Sequence, residues 1–252
     1  MRPSAVPMCA GYCGVSPFQV LLAALAMTLG AWVQGAVGFG GSLVASPLLV
    51  LIDVRFVPGP IGIASILMNV LLTRRRVASH TDHAIRWAML GMIPGTIVAA
   101  CLLAVLSTRG LSIAFAILVF LGVGLTASGV SPRRTPRLLF GAGIVSGFMG
   151  TISSIGGPPV ALLYQHDGGP TLRATLPRYF LVGGVLALIA LVPVGRLGRD
   201  ELLYSLALVP GVVVGLRGSR WLAGHIDRRS ARPWVLGLSS LAAVSVLIRE
   251  LW

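Results

Sequence analysis

The sequence predicts an all-α integral membrane protein built from two tandem repeats of four hydrophobic segments. Three observations carry that prediction. The 252 residues are 56% hydrophobic and 11% charged, where soluble domains carry roughly 25% charged residues. The apolar residues fall into eight blocks, most about long enough to cross a ~30 Å hydrocarbon core, joined by short Arg-, Pro- and Gly-rich connections. The chain also matches itself at a fixed offset.

In chain order the blocks are Phe18–Ile52, Val57–Thr73, Trp87–Leu106, Leu111–Ser128, Leu138–Gln165, Tyr179–Val194, Leu202–Leu216 and Trp234–Ile248. Residues 1–17 form an N-terminal segment that lacks a basic start followed by an apolar core, so no cleavable signal peptide is expected there. Residues 18–130 make repeat 1, 131–137 a basic linker, and 138–252 repeat 2. Trp87, Trp221, Trp234 and Trp252 stand near block ends, as interfacial anchors do. Cys101 lies in a membrane block, whereas Cys9 and Cys13 precede the first and read as unpaired thiols or a pair.

The net charge of +13 comes entirely from arginine, with no lysine. The arginines lie between hydrophobic blocks rather than on a groove-reading helix, so nucleic acid is not the expected partner; the lipid bilayer is. No soluble domain is expected.

An offset of 112 residues aligns Gly35–Leu51 (GAVGFGGSLVASPLLVL) with Gly147–Leu163 (GFMGTISSIGGPPVALL), with five identities in 17 positions. An offset of 116 aligns Leu90–Ala100 (LGMIPGTIVAA) with Leu206–Leu216 (LALVPGVVVGL). Two proline-containing matches in the same order point to duplication, the internal symmetry from which many transporters are built.

The first and fifth blocks are too long for one crossing and each breaks at glycines near its middle. Each is either one long kinked helix or a re-entrant pair of half-helices. Eight simple crossings would split the twenty arginines eleven against nine; re-entrant first and fifth blocks split them fourteen against six. The re-entrant arrangement therefore fits the positive-inside rule better. It leaves three full crossings per repeat, so the repeats would have inverted topology.

Irregular backbone at membrane depth is tolerated only where protein buries it or it lines a wet cavity. The two breaks are thus the candidate substrate site. One offers Gly38, Phe39, Gly40, Gly41 and Ser42; the other offers Thr151, Ser153, Ser154, Gly156, Gly157 and Pro158. Glycines admit backbone close to a ligand, hydroxyls donate, and half-helices beginning at the breaks present N–H groups to an anion. The alternative is close helix packing through small residues, for which Ala31–Gly35 and Gly143–Gly147 are spaced. Gln34 and Asn69, the main polar side chains of size within the blocks, either line the pathway or bond a neighbouring helix. His166 and Asp167 end the fifth block, and His80, His83 and His225 lie in basic loops. No histidine, cysteine or carboxylate cluster has metal-ligand spacing, and no cofactor is expected. All seven acidic residues stand in loops or at block ends, so no intramembrane carboxylate marks a proton or cation route.

GAVGFGGSLVASPLL, GFMGTISSIGGPPVALLY and the paired IPG (Ile93–Gly95) and VPG (Val209–Gly211) resemble the TauE/SafE sulfite exporter family of membrane permeases. The resemblance covers nearly the whole chain. It implies a multi-pass permease of a bacterial inner or plasma membrane that moves sulfite, an organosulfonate or a related sulfur-containing or organic anion.

The expected function is secondary transport of a small anion by alternating access at a midplane site between the repeats, with a proton or cation as a conceivable coupling ion. Nothing resembles a P-loop, so no ATP site is expected. A passive anion channel of the same architecture is the alternative. A membrane-embedded enzyme or assembly factor would need an intramembrane constellation that the chain lacks.

Overall fold

The computed structural model describes residues 15–75, 82–128, 133–164, 167, 169–195, 197–222 and 244. The Trp234–Ile248 block (apart from residue 244), the Cys9/Cys13 pair, His80, His166, His225, Trp234 and Trp252 lie outside the described residues. Among those described, every regular element is helical. They are α1 (Pro17–Val37), α2 (Gly41–Ile52), α3 (Gly59–Arg75), α4 (Ile85–Val105), α5 (Thr108–Ala127), α6 (Pro136–Ser153), α7 (Gly157–Leu163), α8 (Gly169–Leu191) and α9 (Arg199–Leu222), with one 3₁₀ turn at Val54–Phe56. Five helices, α1, α4, α5, α8 and α9, contain stretches long and apolar enough to cross a membrane; α2 and α3 are shorter apolar helices.

The outward faces explain the hydropathy. Along α1, Ala23, Ala26, Met27, Gly30, Ala31 and Gln34 are buried, while Phe18, Leu21, Leu25 and Leu29 point outward, Phe18 with 67% of its surface exposed. Along α4, Leu90, Ile93, Ile97, Val98 and Val105 do the same. Such continuous apolar rows are rare on soluble monomers; lipid covers them at no cost.

Local signals set the ends of α1. Ser16 and Gln19 form a reciprocal capping box, Ser16 N–H donating to Gln19 Oε1 at 2.8 Å and Gln19 N–H to Ser16 Oγ at 3.2 Å. Pro17 follows at the start, where no N–H is needed. Gly38 ends the helix at φ 98°, and Gly40 opens α2 at φ 89°. That conformation costs an L-residue roughly 1–2 kcal/mol, so the two glycines let the chain reverse within three residues.

The reversal makes a hairpin. Gln19 Nε2, near the start of α1, reaches Ile52 O at the end of α2 at 3.4 Å, and Gly41 N–H reaches Gln34 Oε1 at 3.0 Å. The fifth block folds likewise. Ser146 Oγ donates to Gly156 O across α6 and α7, and Arg134, just before α6, binds Asp167, just after α7, at 2.8 and 2.9 Å.

The first helix of each hairpin packs lengthwise on a helix from elsewhere in the chain. α6 lies on α4, and α1 lies on α9, in the two most extensive helix contacts. Both crossings are made by glycine. Gly91 and Gly95 press on the carbonyls of Phe140 and Ile144, and Gly143 and Gly147 on those of Ala88 and Met92. Gly211 and Gly215 press on the carbonyls of Ala24 and Thr28, and Gly35 on Ser219. The small residues at 143–147 and 31–35 thus serve packing. The glycines of both IPG and VPG sit at these crossings.

Helix boundaries follow the 116-residue offset: Val37 and Ser153 end helices, Gly41 and Gly157 begin them, and Arg75 and Leu191 end them. Gly38 therefore corresponds to Ser154 and Gly40 to Gly156, not to the partners of the 112-residue match. A four-residue slip is about one helical turn. It keeps the same helix face in register, so sequence identity alone does not detect it.

Two boundaries move from their expected places. α8 begins at Gly169, ten residues before its hydropathy block, so Arg173 and Arg178 belong to the helix rather than a loop. α9 likewise runs on through Arg217 and Arg220.

Candidate functional site

The tips of the two hairpins open on one cavity of about 80 Å³, room for several water-sized groups at roughly 10–15 Å³ each. Its walls are the α1–α2 tip, the α6–α7 tip, and the facing sides of α3 and α8. α3 and α8 run antiparallel past each other, with Gly62 beside Leu188 and Gly184 beside Ile66.

Of the residues expected at the site, Gln34, Gly40, Ser42, Asn69, Thr151, Ser154, Gly156, Gly157 and Pro158 line this cavity. The others stand behind it. Gly38 packs on Arg173, and Phe39 packs into the cluster around Tyr164 and Tyr179. Gly41 is buried with its N–H on Gln34, and the Ser153 hydroxyl donates to Met149 O at 2.7 Å while accepting from Ile155 N–H at 3.3 Å.

Gln34 and Asn69 bond neighbouring helices and also line the cavity. Gln34 Nε2 donates to Asn69 Oδ1 at 3.1 Å, its Oε1 holds Gly41 N–H, and Asn69 Nδ2 donates to Ser65 O at 2.8 Å. This chain of amides fixes the start of α2 against α3 and presents its remaining edges to the cavity. Buried amides of this kind are stable only when nearly every group is paired.

The second tip is held differently. Ser154 adopts φ 59°, unusual for a residue with a Cβ. Its N–H bonds Gly150 O at 2.9 Å, and its hydroxyl donates to Pro58 O at 3.3 Å. Thr151 donates to Gly147 O at 2.8 Å and touches Thr96 Oγ1 at 3.4 Å.

The helix starts contribute less than expected. The first N–H of α2 is taken by Gln34, and α7 has only seven residues, too few for much of a dipole. Hydroxyls and amides are the polar groups the cavity offers. None of its lining residues is ionisable.

Sequence reading missed Ser65, Ser146 and Phe180, which also line it. Ser65 had a usable signal, lying one turn before Asn69 on the same face of α3. The Ser65 Oγ is buried without a partner.

Charge gathers at one face of the bundle. Arg134 Nη1 binds Asp82 at 2.9 Å as well as Asp167, and its guanidinium lies over the Tyr164 ring at 4.7 Å. Tyr164 donates to Asp82 at 3.0 Å. Burial, and then the Asp82 carboxylate, push the Tyr164 hydroxyl above its usual range, so it stays a donor at any physiological pH. These contacts tie the α3–α4, α5–α6 and α7–α8 connections together. At the other face Arg55 forks onto Asp53 at 3.0 and 2.7 Å and lies over Tyr204 near the start of α9.

No curated protein and no solved structure matches the chain. A family model described as Sulfite exporter TauE/SafE matches residues 22–246.

Proposed function

Because the chain belongs to the TauE/SafE sulfite exporter family, we propose that it is a permease carrying sulfite, an organosulfonate or a related small anion through the cavity between the hairpin tips. The observation that carries this reading is the cavity itself. It is small, lined by both glycine breaks and mostly apolar, and its polar groups are hydroxyls and amides with no ionisable side chain among them. Hydroxyl and amide N–H groups solvate an anion, and the lack of carboxylates leaves nothing to repel it.

The hairpins enter from opposite faces. α1–α2 closes on the side of Arg55 and Tyr204, and α6–α7 on the side of Arg134. We read this as two re-entrant elements in inverted repeats, 18–130 and 138–252, with alternating access about the cavity. The protein would sit in the cell membrane.

Reconstitution into liposomes tests the function. Radiolabelled sulfite, thiosulfate and small sulfonates or carboxylates are offered with and without a pH gradient. Saturable flux with counterflow is expected for at least one of them. Flux without counterflow assigns a channel, and no saturable flux for any anion ends the proposal.

A further inference from the structure

We propose that Arg173 forms an outer anion-binding position at the arginine-rich mouth of the cavity, one that admits small oxyanions and turns cations away. The proposal rests on the anion-permease reading above.

The position follows from three elements. Arg173 is seven residues, or about two turns and 10 Å, before Phe180 on α8, so it shares the face that carries Phe180 and Gly184 along the cavity. Its Cγ lies against Gly38, where an added Cβ would stand 2.9 Å away. Gly38 is two residues from Gly40, which lines the cavity. Arg173 therefore rests on the tip of the first hairpin, between the cavity and the face that holds Arg134 and Asp82.

The guanidinium is undersatisfied. Among the described residues it reaches Ala36 O through Nη1 at 3.4 Å, no carboxylate pairs with it, and Nε is buried with no partner. Thr73 lies one turn beyond Asn69 on the cavity face of α3, and its Oγ1 is also buried and unpartnered. The α3–α8 register, Gly62 by Leu188 and Ile66 by Gly184, brings Thr73 to the level of Pro177. Ser65, Thr73 and Arg173 carry three of the five buried polar side-chain atoms without a partner among the described residues, the others being in Ser46 and Tyr179, and these three run along α3 and α8 from the cavity toward the arginine-rich face. Buried polar groups left unpaired are costly, and a passing oxyanion pairs with each in turn.

At the opposite mouth the corresponding position is neutral. The 116-residue offset makes Val57 the counterpart of Arg173, and the second tip rests there on Pro58 through Ser154. A cation at one mouth and a neutral seat at the other is an asymmetry that packing alone does not require. Arg173 also caps the last turn of α1 through Ala36, a role that any cation at a helix C-terminus fills. The test must separate the two.

Thr73→Cys is made in a chain with Cys9, Cys13 and Cys101 replaced by alanine, and labelled with thiol reagents matched in size. One reagent is an anionic sulfonatoethyl thiosulfonate and the other its cationic trimethylammonium analogue. With each rate divided by that reagent's rate with a free thiol, since the thiolate itself favours a cation, the anionic reagent is expected to be favoured about ten-fold, and Arg173→Gln to abolish that preference while Arg173→Lys keeps it. Equal normalised rates for the two reagents, a preference unchanged in Arg173→Gln, or no labelling at position 73 by either overturns the proposal.

In liposomes Arg173→Gln is expected to raise the KM for radiolabelled sulfite about ten-fold at unchanged maximal rate, with Arg173→Lys close to the parent. A KM that does not move speaks against the outer position. Absence of sulfite flux in the parent counts against the permease reading, while the labelling preference still decides the role of Arg173.

Discussion

Gly156 and Gly62 both line the cavity, yet adding a methyl group to each should have opposite outcomes. A Cβ on Gly156 would stand 2.7 Å from Ser146 O and 3.2 Å from Gly150 Cα, both fixed backbone of α6. A Cβ on Gly62 meets Leu188 Cδ2 at 3.4 Å, and one on Gly157 meets Phe180 Cζ at 3.4 Å. These are ordinary contacts with side chains. Gly156→Ala should therefore lower the detergent melting temperature sharply, since overpacking against backbone costs about 1–3 kcal/mol or more. Gly62→Ala and Gly157→Ala should melt with the parent while narrowing the cavity, slowing flux of larger sulfonates more than of sulfite. If both leave every flux unchanged, the cavity is not the path. The sequence shows that these positions are glycine, but not which neighbour each glycine's missing side chain would strike. That is decided by helix crossings far apart in the chain.

At the scale of elements, Arg134 is the joint with the clearest consequence. One side chain ties three connections, through Asp82, Asp167 and the Tyr164 ring. Each group is partly exposed, Arg134 to 33% and Asp82 to 27%, and isolated surface pairs contribute only ~0–1 kcal/mol. A bidentate bond shared with a second carboxylate should exceed that, so Arg134→Ala is expected to lower the melting temperature by a few degrees, about 2–4 °C per kcal/mol for a chain this size. Asp82→Asn should cost less, and the double variant little more than Arg134→Ala alone, because the two changes remove one shared interaction. Additive losses in the melting curves would show that Arg134 and Asp82 act independently. None of this network is legible in the sequence: its members lie in three loops, and only the fold brings them together. The helices are legible wherever hydropathy alone decides them, as in α4 and α5. Hydropathy starts α8 ten residues late because Arg173, Pro177 and Arg178 lower its apparent apolarity, although its neighbours α3 and α4 bury the first turns.

For the whole molecule, the arginine distribution and the hairpin contacts bear on the same property by independent routes. The count of fourteen arginines against six uses only residue identities between blocks. The closures Gln19–Ile52 and Arg134–Asp167 use only packing. Both agree with the Arg55 connection on one face and the Arg134 and Asp167 connections on the other. The two sequence matches lie at unequal offsets, and the helix ends Val37/Ser153, Gly41/Gly157 and Arg75/Leu191 agree with the larger one, because close packing has to respect helix length where identity does not. The resulting arrangement makes a prediction that a chain with a continuous fifth crossing does not share. Val54→Cys, Arg133→Cys and Asp167→Cys, each in the chain with Cys9, Cys13 and Cys101 replaced by alanine, are labelled with a membrane-impermeant maleimide in right-side-out and inverted vesicles. Three crossings, α3, α4 and α5, separate positions 54 and 133 in either arrangement, so these two label from opposite sides and fix the sidedness of the vesicles. Position 167 is what discriminates. With a returning second hairpin, Asp167→Cys labels from the same side as Arg133→Cys, and with a continuous crossing it labels from the other. Labelling of positions 133 and 167 from opposite sides would reject the re-entrant reading, and with it the meeting of the two tips within the membrane.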